Sequence, residues 1–144
     1  MEILTNLLKK YLAENFALYL KSLNFHWNVE GPRFIQLHSF FQDIYEDLED
    51  ATDTIAEHIR SLDAYVPGSF SRYVELSEIE DETAILTAED MIKQIQEDNQ
   101  VILRTLDVTF KLAEKENKQG LIDFLGSRIA QHDKWNWMLK SLMK

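Results

Sequence analysis

The stretch NFHWNVEGPRFIQLH, residues 24–38, decides the fold, because it holds the first sharp break in a chain that otherwise favours helix. From residue 3 to 29, apolar residues recur at steps of three and four, which predicts one long amphipathic helix. Gly31 and Pro32 end that helix, and proline suits the first turn of the next one. Since the turn is short, we expect the two helices beside it to be antiparallel neighbours.

Three further helices follow the turn. They are predicted over residues 33–64, from 87 to near the sequence EKENKQG, and over 119–142. Thr87 opens the helix that starts at residue 87, and Asp90 follows three residues later in a capping-box-like arrangement. The looser stretch 65–86 has room for only a short helix and is long enough to cross a bundle lengthwise. Four long helices with one long crossover predict an all-α, ferritin-like four-helix bundle, with a single domain over residues 1–144.

Composition narrows the function classes. The 144 residues include no cysteine, so disulfide, zinc-thiolate and thiol chemistry are excluded. The start, MEILTNLLKKYLAENF, has no apolar core of signal-peptide type, and no segment is long and apolar enough to span a membrane, so a cytoplasmic location is expected. The net charge of −10 opposes binding to a phosphate backbone. An acidic surface instead favours metal cations or simple solubility.

A polar stripe runs along the second predicted helix beside its core face. The apolar residues of that helix occupy one arc of a helical wheel: Phe40, Phe41, Ile44, Leu48, Ile55, Ile59 and Leu62. With His38 at the origin, Gln42, Asp53 and Glu57 fall at about 40°, 60° and 100°, outside that arc. Glu46 and Glu49 share the stripe, whereas His58 falls at the far edge of the core arc.

The stripe carries two separate half-sites. His26 and His38 lie at similar heights on either side of the turn, and Asp53 and Glu57 are one turn apart. His38 and Asp53 are roughly 22 Å apart along the axis, too far for one metal ion. Two copies packed antiparallel would join the histidines of one chain to the carboxylates of the other, in a ligand mix suited to Fe(II), Mn or Zn. The alternative is a solvated helix face with cap or packing histidines.

The sequence HWNVEGPRFIQLH, followed by DATDTIAE, resembles the signature of the Dps family of mini-ferritins. The matching residues are His26, Trp27, Asn28, Gly31, Phe34, His38, Asp53 and Glu57. The resemblance implies a hollow dodecamer that oxidises Fe(II), preferentially with hydrogen peroxide, at inter-subunit sites and stores ferric mineral. It implies that the two histidines, Asp53 and Glu57 are the catalytic iron ligands, and that Trp27 lies beside the site, where it can intercept radicals.

The chain departs from the family in two respects. The family usually has an aspartate four residues after the second histidine, where this chain has Gln42. A neutral amide is a weaker ligand for a hard cation, so the second iron position is expected to be weak, or to be completed by Glu46 or water. Zn or Mn can compete for the iron ligands. DNA binding is not expected, because no lysine-rich tail is evident and a dodecamer would carry about −120 formal charges.

Other acidic and histidine residues have weaker claims to a function. Glu114, Glu116 and Asp123, near the junction of the third and fourth long helices, either line an iron-entry pore of the family type or form a solvated helix end. His132 and Asp133 are adjacent on a helix and therefore point in different directions, which disfavours a metal site.

Rival functions remain open at the level of sequence. One rival is excluded: a di-iron enzyme with its site inside one bundle needs Glu-x-x-His motifs, and the sequence contains none. A nucleoid-protecting cage with weak or no ferroxidase activity is the main alternative. A cage whose metal site has decayed is a third, suggested by Gln42.

Overall fold

The structure is a computed structural model that describes residues 2–144. Helices make up most of this range. They are α1 (Glu2–Asn28), α2 (Phe34–Ser61), α3 (Phe70–Leu76), α4 (Ala88–Lys115) and α5 (Gln119–Leu142). Residues 2–144 contain no strand, so the predicted all-α fold with a short crossover helix is confirmed. In this same range, no helix combines the length and apolar character needed to cross a membrane.

Paired polar contacts define the helix directions. Glu14 accepts a 2.6 Å hydrogen bond from the Thr105 hydroxyl, and Lys21, two turns later in α1, pairs at 2.8 Å with Asp98, two turns earlier in α4. Helices α1 and α4 are therefore antiparallel. Because α1 is also antiparallel to α2 across the tight turn, α2 and α4 are parallel, and the connection 62–87 has to run the length of the bundle.

The core face of α2 lies where the apolar pattern predicts it. Phe41, Ile44, Leu48, Ile55 and Ile59 are buried, and Phe40 and Leu62 pack partly buried against the same core. Asp53 and Glu57 are exposed on the neighbouring face of the helix. The polar stripe is thus separate from the packing that holds the bundle together, and its residues are available for another role.

Helix ends follow local signals where such signals exist. The Thr87 hydroxyl accepts a 3.2 Å hydrogen bond from the Asp90 amide, which caps α4 as predicted. Helix α2, predicted to reach residue 64, ends instead at Ser61. The backbone of Asp63 adopts a left-handed conformation, with φ of 63°, which ends the helical path.

The crossover is held against α1 by hydrogen bonds and an ion pair. The Glu78 amide donates to Glu14 at 3.3 Å, and Lys10 pairs with the Glu78 carboxylate at 2.7 Å. Burial raises the pKa of Glu14, whose carboxylate has no exposed surface. Tyr73 of α3 packs its ring against Phe16 of α1 at 4.9 Å between centroids. These contacts hold the crossover beside the same aromatic side chains that border the polar stripe.

Candidate metal centre

The two histidines of the tight turn lie face to face. The rings of His26, near the end of α1, and His38, in the first turns of α2, are stacked with centroids 3.7 Å apart and planes 15° apart. The Nδ1 atom of each ring lies 2.7 Å from the backbone carbonyl oxygen of the other residue. This reciprocal pair of hydrogen bonds joins α1 to α2 and holds the two rings in their stacked arrangement.

The hydrogen bonds determine which ring nitrogen can bind a metal ion. A carbonyl oxygen only accepts, so Nδ1 must donate in both His26 and His38. In the neutral ring the lone pair is then on Nε2, the usual arrangement for a metal-ligating histidine whose other nitrogen donates to a carbonyl. Both rings at the turn therefore keep the Nε2 lone pair for a metal ion.

Two aromatic side chains hold the histidine rings in place. Phe34 stacks on His38 with centroids 5.0 Å apart, and Tyr45 meets His26 edge-on at 5.1 Å. The sequence pattern alone does not predict this role for either ring. A usable signal exists for Tyr45, which lies two helical turns after His38 and so on nearly the same face of α2.

The carboxylates lie further along α2. Asp53 and Glu57 are exposed, and neither forms a hydrogen bond or an ion pair with the described part of the chain, residues 2–144. Helix geometry places Asp53 roughly 22 Å along the axis from His38. Among residues 2–144, no group of three or more His, Asp or Glu side chains is close enough to hold a metal ion. One chain therefore brings the histidines together but leaves them well away from the carboxylates.

The side chains of Gln42 and Glu46, both on the polar stripe, are hydrogen-bonded to each other. The Gln42 amide nitrogen donates a 2.8 Å hydrogen bond to a carboxylate oxygen of Glu46, one turn on. This contact uses the amide nitrogen of Gln42, so a carbonyl oxygen is the group that Gln42 can offer a metal ion. That oxygen is neutral, whereas the aspartate usual in the family at this position would be charged.

The remaining predicted site residues lie at other places in the fold. Trp27 is 63% exposed at the end of α1, next to His26. Asp123 is exposed near the start of α5, and Glu116 forms the C-terminal cap of α4, so both are at the predicted junction. Glu114 is exposed in the last turn of α4.

His132 has a packing role. Its ring has no exposed surface and hydrogen bonds through Nδ1 to the Asn99 side-chain oxygen at 2.7 Å, while Asn99 donates to the His132 carbonyl at 2.9 Å. Burial, with a smaller effect from Arg128, lowers the pKa of His132 well below 6.5. Asp133 is exposed, so the two adjacent residues point apart, as the sequence indicates.

The sequence of this chain matches a family model and several known proteins over most of its length. A family model for the ferritin-like domain matches residues 5–144. A protein of Bacillus anthracis named DNA protection during starvation protein 2 is 30% identical over 136 residues, which cover 94% of this chain and 93% of that one. An uncharacterized low temperature-induced protein of Nostoc is 31% identical over 141 residues, 96% of this chain and 79% of the relative.

Solved structures agree in fold. The Dps protein of Vibrio cholerae, described as a member of a broad superfamily of ferritin-like diiron-carboxylate proteins, superposes with a TM-score of 0.95 at 28% identity. The superposition covers 99% of this chain and 90% of the other. A Dps protein of Bacillus brevis also superposes with a TM-score of 0.95 at 28% identity, over 99% and 96% of the two chains.

Proposed function

Since this chain belongs to the Dps family of ferritin-like proteins, we propose that it is an iron-storage and detoxification protein that oxidises Fe(II) to Fe(III), preferentially with hydrogen peroxide. The substrate metal binds between subunits, and the ferric product is stored as mineral inside a dodecameric cage in the cytoplasm. Membership of the family supports the iron chemistry. The polar stripe on α2 supports the placement of the metal site between two chains.

One observation carries the proposal. The stacked rings of His26 and His38 both keep the Nε2 lone pair for a metal ion, yet no third His, Asp or Glu ligand lies close enough to them in residues 2–144. Two imidazoles with no carboxylate make an incomplete site for Fe(II), and Asp53 with Glu57 makes the complementary half. A histidine pair oriented in this way is explained if the missing ligands come from another molecule.

A twofold axis supplies the missing ligands. If two chains pack antiparallel through their stripes, the His26 and His38 rings of one chain meet Asp53 and Glu57 of its partner. The same operation forms a second, identical site, so each dimer holds two. The resulting mixture of imidazole nitrogen and carboxylate oxygen suits Fe(II), with Zn and Mn as competitors.

The reaction consumes two Fe(II) for each peroxide. Two Fe(II), one H2O2 and two protons give two Fe(III) and two waters, because the oxygen–oxygen bond accepts two electrons. His26, His38, Asp53 and Glu57 hold the reacting iron, whereas Gln42 offers a second iron position only a neutral oxygen. We therefore expect one tightly and one weakly bound iron in each site.

Several relatives are named for protection of DNA, and this motivates the second candidate, a nucleoid-protecting cage with weak or no ferroxidase activity. The charge of this chain argues against direct contact with DNA, because a dodecamer would carry about twelve times the −10 of each subunit. Removal of Fe(II) and peroxide protects DNA without such contact.

An anaerobic Fe(II) titration followed by peroxide tests the proposal. The protein should bind Fe(II), and peroxide should oxidise it with a ratio of two iron ions per peroxide, faster than in buffer. His38→Ala should lose most of this rate, whereas His58→Ala is the matched control, since His58 lies on the same helix but stacks on Phe124 away from the stripe. Iron oxidation no faster than in buffer would contradict the function, and DNA retention at low salt without divalent cations would favour the second candidate.

A further inference from the structure

Two tyrosines lie between the histidine half-site and the carboxylate half-site of each chain. Building on the proposed function, we propose that Tyr45 and Tyr19 form an electron-transfer path that connects the two metal sites of one dimer. The path allows two Fe(II) ions held in different sites to deliver their electrons to a single peroxide.

The path follows ring contacts along one face of the helix pair. Tyr45 meets His26 at 5.1 Å between ring centroids, with the planes 70° apart. Tyr19 meets Tyr45 at 6.2 Å and 71°. Tyr19 in turn lines a surface cavity of about 320 Å³ together with Glu49 and Asp53. The rings thus lead from the imidazoles to a cavity that the carboxylate half-site also lines.

The path joins different sites because of the proposed twofold arrangement. The histidines of a chain belong to one metal site, and its carboxylates, roughly 22 Å away along α2, belong to the other. A route within one chain from His26 to Asp53 therefore runs from site to site. The partner chain supplies a second, symmetry-related route.

The weak second iron position gives such a path a purpose. When a site holds a single Fe(II), the ion supplies one electron to peroxide and yields Fe(III), hydroxide and a hydroxyl radical. Tyr45, in contact with the ligand His26, can give that radical a hydrogen atom, which produces water and a tyrosyl radical. An Fe(II) in the other site then reduces the tyrosyl radical through Tyr19, with uptake of one proton. With a second proton to neutralise the hydroxide, the sum is again two Fe(II), one peroxide and two protons to two Fe(III) and two waters.

The surroundings of Tyr19 suit transfer of an electron coupled to a proton. Burial, followed by the charges of Glu49 and Tyr45, raises the pKa of Tyr19 above its usual value of 10. The phenol is therefore protonated at neutral pH, and its oxidation must release a proton. Glu49 lines the same cavity and can accept it. Beyond Tyr19, the next ring is Phe16 at 5.7 Å, which is far harder to oxidise, so the path ends at Tyr19.

Freeze-quench electron paramagnetic resonance tests the path. Protein carrying one Fe(II) per site is mixed with peroxide, and hydroxyl radical is measured in parallel by spin trapping. The wild type should show a transient radical, which ring-deuterated tyrosine should narrow. Tyr45→Phe keeps the ring but should lose the signal and release several-fold more hydroxyl radical. Tyr19→Phe should keep a radical on Tyr45 that decays several-fold more slowly. Tyr65→Phe is the control, because Tyr65 is 82% exposed and packs on Arg60 away from the path.

Several results would overturn the path while leaving the proposed function intact. They are peroxide-dependent oxidation without any tyrosyl radical, a radical that deuterated tyrosine leaves unchanged, or hydroxyl radical yields in Tyr45→Phe equal to those of Tyr65→Phe. Anaerobic Fe(II) titration of each variant confirms that its sites still fill. Tyr19→Phe provides an independent test if Tyr45→Phe fails to assemble, since equal radical decay in Tyr19→Phe and wild type also refutes the path. Absence of accelerated iron oxidation in the wild type would instead refute the function itself.

Discussion

A refolding experiment can decide whether each metal site is built from two chains. One variant carries His26→Ala and His38→Ala, and the other carries Asp53→Ala and Glu57→Ala. Each alone should lose peroxide-dependent Fe(II) oxidation, because every site then lacks half of its ligands. The two are unfolded together in equal amounts, mixed and refolded, and iron oxidation is measured after light scattering has confirmed normal assembly.

The expected recovery follows from counting sites. In a mixed antiparallel dimer, one site combines the intact histidines of one chain with the intact carboxylates of the other, and the second site combines both damaged halves. Random pairing makes about half of all dimers mixed, so roughly a quarter of wild-type sites should return. The separation of roughly 22 Å between the half-sites excludes repair within one chain.

The control is a mixture of each variant with itself, carried through the same unfolding and refolding. It should remain inactive, which shows that refolding does not create activity. Activity near zero in the assembled mixture would refute the inter-subunit site. Recovery approaching the full wild-type rate would also contradict it, because a mixed dimer can rebuild only one of its two sites.

Three further predictions concern single residues. Gln42→Asp should raise Fe(II) occupancy at the second iron position. Repulsion with Glu46 one turn away should lower the free energy of unfolding by about 0.2–0.5 kcal/mol. Unchanged iron stoichiometry in an anaerobic titration would mean that another group already supplies the ligand. Thr87→Ala removes the cap of α4 and should lower the free energy of unfolding by about 1 kcal/mol in a denaturant titration, with Thr83→Ala in the exposed crossover as a control without effect. Burial lowers the pKa of His132, so below pH 6.5 the unfolded chain binds a proton at this residue that the folded chain does not bind. The free energy of unfolding should therefore fall by up to about 1.4 kcal/mol for each unit that the pH is lowered. His132→Gln should flatten this dependence between pH 6.5 and 5, and equal slopes in variant and wild type would contradict the assignment.

Much of the fold could be predicted because its signals are local. The spacing of apolar residues, the Gly31-Pro32 break and the Thr87 cap each act within a few residues. Helices α1 and α5 accordingly begin and end within one residue of their predicted bounds, and α4 begins directly after Thr87 and ends within the predicted EKENKQG stretch. The end of α2 was predicted at residue 64, three residues too late. Asp63 adopts a left-handed backbone conformation there, which the sequence pattern does not predict. The position of the stripe beside the core arc followed from helical periodicity alone.

The candidate site was predictable in its residue types but not in its geometry. The turn brings His26 and His38 to the same height, which spacing alone predicts. That each ring donates to the other's backbone carbonyl depends on the distance and rotation between two packed helices, which no local pattern encodes. The contact of Tyr45 with both His26 and Tyr19 arises in the same way, since these residues come from different helices.

By itself, the sequence determined the helices, the core face of each and the separation of histidines from carboxylates, because these depend on steps of three and four residues along one chain. Only the tertiary structure decided which ring nitrogens of His26 and His38 are left for a metal ion, and that Tyr45 and Tyr19 lie between the half-sites. The physical reason is that such contacts depend on side chains from two helices meeting at distances of a few ångströms, which packing of the whole bundle sets.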